Sequence, residues 1–259
     1  MRRAMLAMIA TTWCACGFQV PAGLATDADP GGETGPPAGD APIDAGCEAP
    51  AAHWRFDDGA GLAAADSSGH GNALTLHAAT WGAGKQGMAL DLTGNAWADR
   101  PFDPAFTARR RISVTAWVYP IDSRVGGIVV KSARLGPLMD WGFYVIGSEA
   151  AFLYNYQINQ AYPSVATTGM GIPQSAWSHV GFVVDVDAGT VAFYLNGALH
   201  QALPNTIELA QHDTEPISVG TDGGNAANDF VGRLDEITVW TRALTGTEIK
   251  TLFEGDCLR

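Results

Sequence analysis

Basic residues are scarce in this chain of 259: 15 Lys and Arg stand against 27 Asp and Glu, a formal charge of −12 with histidine neutral. That acidity argues against nucleic acid or anionic lipid as a partner. Charge of either sign is sparse at 16%, while apolar residues make up 47%, enough for one large β domain. The apolar stretch near the start is short, and it marks export rather than a membrane span. Cysteine is limited to positions 14, 16, 47 and 257. There is no Cys-x-x-Cys, zinc spacing or P-loop, and no Gly-x-Ser-x-Gly elbow, so redox, phosphate and serine-hydrolase chemistry have no motif to rest on. Helical periodicity is nearly absent before the last fifteen residues.

At the start, Met1-Arg2-Arg3 and the apolar stretch Ala4 to Ala10 form the positive and hydrophobic regions of an export signal. Cys16, preceded by a small residue at its end, is a candidate for lipid attachment, with ordinary signal-peptidase cleavage the alternative. The spacing predicts a signal over 1–16, a Pro/Gly/Ala/Asp-rich disordered linker over 17–46 and one domain over 47–259. The membrane is then reached only through an N-terminal lipid, and the protein lies in the cell envelope, on the outer surface or in the medium. In an exported chain the remaining Cys47 and Cys257 read as a disulfide clasping the domain ends, with two unpaired thiols as the alternative.

Between them run short alternating stretches. Ile112 to Tyr119, Gly126 to Lys131, Trp141 to Ile146 and Ala151 to Tyr156 read as strands. Val180, Phe182, Val184 and Val186 share a face, Asp187-Ala188-Gly189 turns the chain, and Val191, Phe193 and Leu195 return to Asn196-Gly197, a type I′ turn signal. From Leu234 to Trp240 the alternation places Ile237 and Val239 on one face with Asp235, and Leu234, Thr238 and Trp240 on the other with Glu236. Thr245 then stands three residues before Glu248, the capping-box spacing, and Ile249, Leu252 and Phe253 fall on one face of a short helix. The pattern predicts an all-β, two-sheet antiparallel jelly-roll sandwich with a short C-terminal helix.

Several segments carry a resemblance. Gly232-Arg233-Leu234-Asp235-Glu236-Ile237 running into Arg242-Ala243-Leu244-Thr245 is similar to the ending of the laminin-G-like, concanavalin A-like jelly rolls of bacterial surfaces. Trp54-Arg55-Phe56-Asp57-Asp58-Gly59, Asp66 to Asn72 and Gly84 to Leu90 resemble their opening, and Trp177-Ser178-His179-Val180 their central strand. The resemblance implies that first and last strands pair, that His179 is structural, and that a calcium ion sits near the paired ends. Asp57, Asp66, Asn72 and Asp235 are the oxygen donors available there, with solvated turn and strand-end groups as the plainer alternative.

Glucanases share the sandwich, but their Glu-x-Asp-x-x-Glu strand is missing here, so hydrolysis of a glycoside is the least favoured reading and no enzyme is expected. Binding is favoured instead. Tyr154, Asn155, Tyr156 and Tyr162 form a run of aromatic and amide side chains suited to stacking on a sugar and bonding its hydroxyls. The sequence therefore points to a monomeric surface module that recognises a glycan or, as an alternative, a surface protein.

Overall fold

The structure is a computed structural model and describes residues 48–133, 138–157, 164–221 and 229–256, with only the backbone described for 155–157. Cys16, Cys47, Cys257 and Tyr162 lie outside the described residues, as do the signal and linker segments.

Sixteen strands are described. The first half holds β1 (Ala52–Trp54), β2 (Ala63–Ala64), β3 (Leu74–His77), β4 (Thr80–Ala83), β5 (Met88–Leu92), β6 (Trp97–Arg100), β7 (Arg111–Pro120) and β8 (Val125–Lys131). The second half holds β9 (Leu138–Ile146), β10 (Glu149–Gln157), β11 (Ser164–Ala166), β12 (Ser178–Asp185), β13 (Thr190–Leu195), β14 (Ala198–Pro204), β15 (Ile217–Val219) and β16 (Gly232–Trp240). One sheet runs β14-β13-β12-β7-β16-β5-β4, with β1 also paired to β16. The other runs β11-β10-β9-β8-β15-β6-β3-β2. We call them sheets A and B. Consecutive strands pair in β8–β9–β10–β11 and β12–β13–β14, crossovers bring β7 between β12 and β16 and β15 between β8 and β6, and strand pairing within both sheets is antiparallel, as in a jelly roll.

The core lies between the inner faces. In β7, Ile112, Val114, Ala116 and Val118 point inward; in β12, Val180, Phe182 and Val184 do, each opposite its partner on β7 or β13. Phe182 meets Phe143 of sheet B at a ring separation of 4.3 Å and Phe152 at 5.2 Å. Asn196 and Gly197 both take positive φ, 49° and 77°, which is the type I′ geometry that matches the twist of β13 and β14.

The first and last strands meet: Ala52 pairs with Val239 and Trp54 with Ile237. The helix α1 (Gly246–Glu254) starts on the expected capping box, Thr245 Oγ1 accepting the Glu248 amide while the Glu248 side chain accepts the Thr245 amide. It stops at Gly255 in the left-handed region, φ 74°. Ile249 seats α1 on the outer face of sheet A against Val183, Tyr194, Trp240 and Leu244.

The expected alternation along β16 is corrected by a bulge. Asp235 pairs with Trp117 and Thr238 with Thr115, three steps on β16 against two on β7, with Glu236 at φ 48° absorbing the extra residue. Leu234 therefore joins Ile237 and Val239 in the core, while Thr238 meets Thr115 and Trp240 meets the helix on the outer face.

Candidate functional site

The four expected calcium ligands fall at the seam of first and last strands, but in two separate clamps that hold amide groups. Asp66, in the turn after β2, accepts the amides of His53 (2.9 Å), Ser68 (2.9 Å) and Asn72 (2.8 Å) and the Ser68 hydroxyl (2.7 Å). Burial raises its pKa, but these donors outweigh it and the net shift is downward. Asn72 is buried, its Nδ2 donating to the Ala51 carbonyl at 2.6 Å and its own carbonyl accepting Trp54 Nε1 at 2.7 Å. The second clamp grips the β4–β5 hairpin: Asp57 Oδ1 accepts the Met88 amide at 2.9 Å, and Asp235 Oδ2 accepts the amides of Lys85 and Gln86 at 2.8 and 2.9 Å. Calcium needs six to eight oxygens converging on one point. Carboxylates already turned toward N–H donors in two places do not fit it, and no group of three His, Cys, Asp or Glu among the described residues has metal-binding geometry. These side chains are turn and hairpin clamps.

The bulge turns Asp235 and Glu236 into a local concentration of charge. Glu236 Oε2 lies 2.6 Å from His53 Nε2, and Oε1 lies 3.7 Å from Arg55 Nε. Asp235 is sealed from solvent under Lys85 and Gln86. Burial, with the Glu236 charge adding to it against the opposing amide donors, pushes its pKa up to about 7. A substrate cannot reach this carboxyl. A second set holds a buried ion pair: Lys131 Nζ lies 2.5 Å from Asp140 Oδ2, and the partly exposed His212 bonds the other oxygen through Nδ1, which staples β8 and β9 to the loop before β15.

Of the sugar-stacking run, Tyr154 is placed in the core, 4% exposed, with its ring 5.1 Å from Phe152 and its hydroxyl pKa raised by burial. It is a packing residue, not a surface platform. The side chains of Asn155 and Tyr156 and all of Tyr162 lie outside the described residues.

An aromatic surface does exist elsewhere. On the outer face of sheet B, His77 of β3 is directly opposite Trp97 of β6, the rings stacked at 4.6 Å and 12°. Asp99, two residues along the same face, accepts from His77 Nε2 at 2.9 Å, with both side chains about one-third exposed. The signal for it was alternation: Leu74, Leu76 and Ala98 are core, so Thr75, His77, Trp97 and Asp99 must face outward. Their meeting, however, depends on β3–β6 register, which joins residues about twenty apart.

Fold and site together define a concanavalin A-like jelly roll with a partly exposed aromatic and carboxylate ladder on the β3–β6 pair of sheet B. The chain belongs to the concanavalin A-like lectin/glucanases superfamily, whose family model matches residues 92–250. Comparison with curated proteins finds no match. Among solved structures, domain 4 of AbnA, a GH43 extracellular arabinanase from Geobacillus stearothermophilus, in complex with arabinotriose, is 21% identical with a TM-score of 0.62 over 78% of this chain and 97% of that one. The binding domain of Paraclostridial Mosquitocidal Protein 1 is 15% identical with a TM-score of 0.63, over 80% of this chain and 52% of that one. The binding domain of botulinum neurotoxin DC in complex with SialylT is 12% identical with a TM-score of 0.60, over 82% of this chain and 52% of that one. The chain thus spans about half the length of the toxin binding domains. No helix among the described residues is long and apolar enough to cross a membrane.

Proposed function

We propose that the protein is a non-catalytic extracytoplasmic recognition module that binds glycan on the outer face of sheet B. The observation that carries this reading is the stacked His77–Trp97 pair with Asp99 bonded to His77. A partly exposed indole offers a face for the C–H surface of a sugar ring, and a carboxylate beside it accepts ring hydroxyls. The arabinotriose and SialylT complexes of structurally similar domains support the choice of glycan. A related toxin domain in complex with rat synaptotagmin II keeps a protein partner as the second reading. Export through the 1–16 signal, acylation at Cys16 and a Cys47–Cys257 bond belong to the same proposal.

The test is glycan-array screening followed by titration calorimetry on the best ligand. Trp97→Ala should weaken binding about tenfold or more, the equivalent of about 1.4 kcal/mol, while the melting temperature moves by only a few degrees. Asp99→Asn should weaken it less. A wild-type protein that retains no glycan, or a Trp97→Ala variant that binds as well as wild type, would remove the reading; retention of a protein ligand alone would favour the second.

A further inference from the structure

Beside the apolar seat of α1, the outer face of sheet A also buries polar side chains. Ser113, Thr115, Thr238 and His179 are all buried there. Three of them are satisfied by protein atoms. Ser113 Oγ donates to the Arg242 carbonyl and accepts the Leu244 amide, at 2.8 and 2.9 Å. Thr115 and Thr238 share a hydroxyl bond of 2.7 Å, and Trp240 Nε1 donates to Thr238 at 3.0 Å.

His179 is the exception. Its ring, 2% exposed, is packed 5.3 Å from Trp117 and 5.8 Å from Phe253. Burial pushes its pKa down to about 3, so the imidazole is neutral. Its Nδ1 has no hydrogen-bond partner among the described residues. Leaving such an atom unmet costs about 1–3 kcal/mol, and native interiors avoid it.

His179 lines a cavity of about 30 Å³. The same wall carries the Glu236 carboxylate, the Thr115 and Thr238 hydroxyls, and Arg55, whose Nε is likewise buried and without a hydrogen-bond partner. Leu252 and Gly255 at the end of α1 also line it. A water molecule needs roughly 10–15 Å³ of such space and two to four polar neighbours. The cavity has room for one or two waters and more than enough partners. It is too small for an organic ligand, and a cation there would lie against Arg55.

We propose that this cavity is a built water site, in which one or two bound waters link His179 and Arg55 to the Glu236 carboxylate and the Thr115–Thr238 pair. The waters then join the segment just after β1 to β7, β12 and β16 near the end of α1. This assigns His179 a purpose that packing alone does not give it, since a phenylalanine would fill the ring space without needing a partner.

The test is a high-resolution crystal structure of the full chain, with a rubidium soak alongside. Solvent density at roughly 2.7–3.2 Å from His179 Nδ1 and no anomalous signal is the expected result. In solution, the wild-type protein should show a cross-peak between the His179 ring and a long-lived water. His179→Phe should lose the density beside the ring, and if that variant does not fold, the wild-type cross-peak decides alone. A rubidium peak in the cavity, or absent density together with an absent cross-peak, would overturn the proposal.

Discussion

Replacing Trp54 by alanine should cost about 3–5 kcal/mol of folding free energy, a large part of the roughly 5–15 kcal/mol that holds a domain of this kind together. Trp54 has no solvent exposure and its ring lies 6.3 Å from that of Phe106 in the core. Its Nε1 donates to the carbonyl of Asn72 at 2.7 Å, and its backbone pairs with Ile237 on β16. Truncation would therefore leave a cavity, strip a buried carbonyl of its donor and loosen the strand that brings the two chain ends together. Trp54→Phe should fall between, about 1–3 kcal/mol down, because it keeps most of the volume while losing the hydrogen bond. Urea unfolding followed by circular dichroism separates the two. An alanine variant within 1 kcal/mol of wild type would mean that β1 frays at no cost to the sandwich.

What the sequence disclosed was what depends on near neighbours. The Thr245–Glu248 cap, the Asn196-Gly197 turn and the Val180/Phe182/Val184 face each need only a few consecutive residues, and each stands as expected. The pairing of β1 with β16 joins residues nearly two hundred apart, and only the family resemblance pointed to it. The β16 bulge was hidden because strict alternation assumes no inserted residue, and nothing in Leu-Asp-Glu-Ile marks Glu236 as the one at positive φ. Tyr154 was misplaced for a related reason. In a sandwich covered on several faces an aromatic beside amides is as easily inward as outward, and β10 register against β9 sets Tyr154 opposite Trp141, which is core. The acidic residues at the chain ends were legible as a group, but their use was not. Backbone amides from the β4–β5 hairpin and the turn after β2 reach those carboxylates only in the folded state.

Asp235→Asn should make the domain more stable than wild type at pH 8 but not near pH 4.5. Asp235 has no exposure, its Oδ1 has no partner among the described residues, and Glu236 adds a like charge next to it. Its pKa is pushed from 3.8 to about 7, so the folded state binds a proton that the unfolded chain has released. The sign follows directly: a carboxyl with a raised folded value imposes no penalty below about pH 4, where both states are protonated. The penalty grows between about 4 and 7 and is constant above, at about 4 kcal/mol in the limit. Asparagine keeps the oxygen that accepts the Lys85 and Gln86 amides and removes the charge. Any fixed cost of its unpartnered amide is the same at every pH, so the informative quantity is the difference between the two proteins at pH 8 minus that at pH 4.5. The gain should appear as a relative rise in Tm on the order of 10 °C, read by calorimetry with chelator present throughout. Asp66, whose donors lower its pKa, works in the opposite direction in both proteins: its contribution is lost as pH falls below the usual carboxylate range, and it cancels in the comparison. Profiles that run parallel across the whole range would show that Asp235 stays ionised in the fold, its charge held by the two hairpin amides.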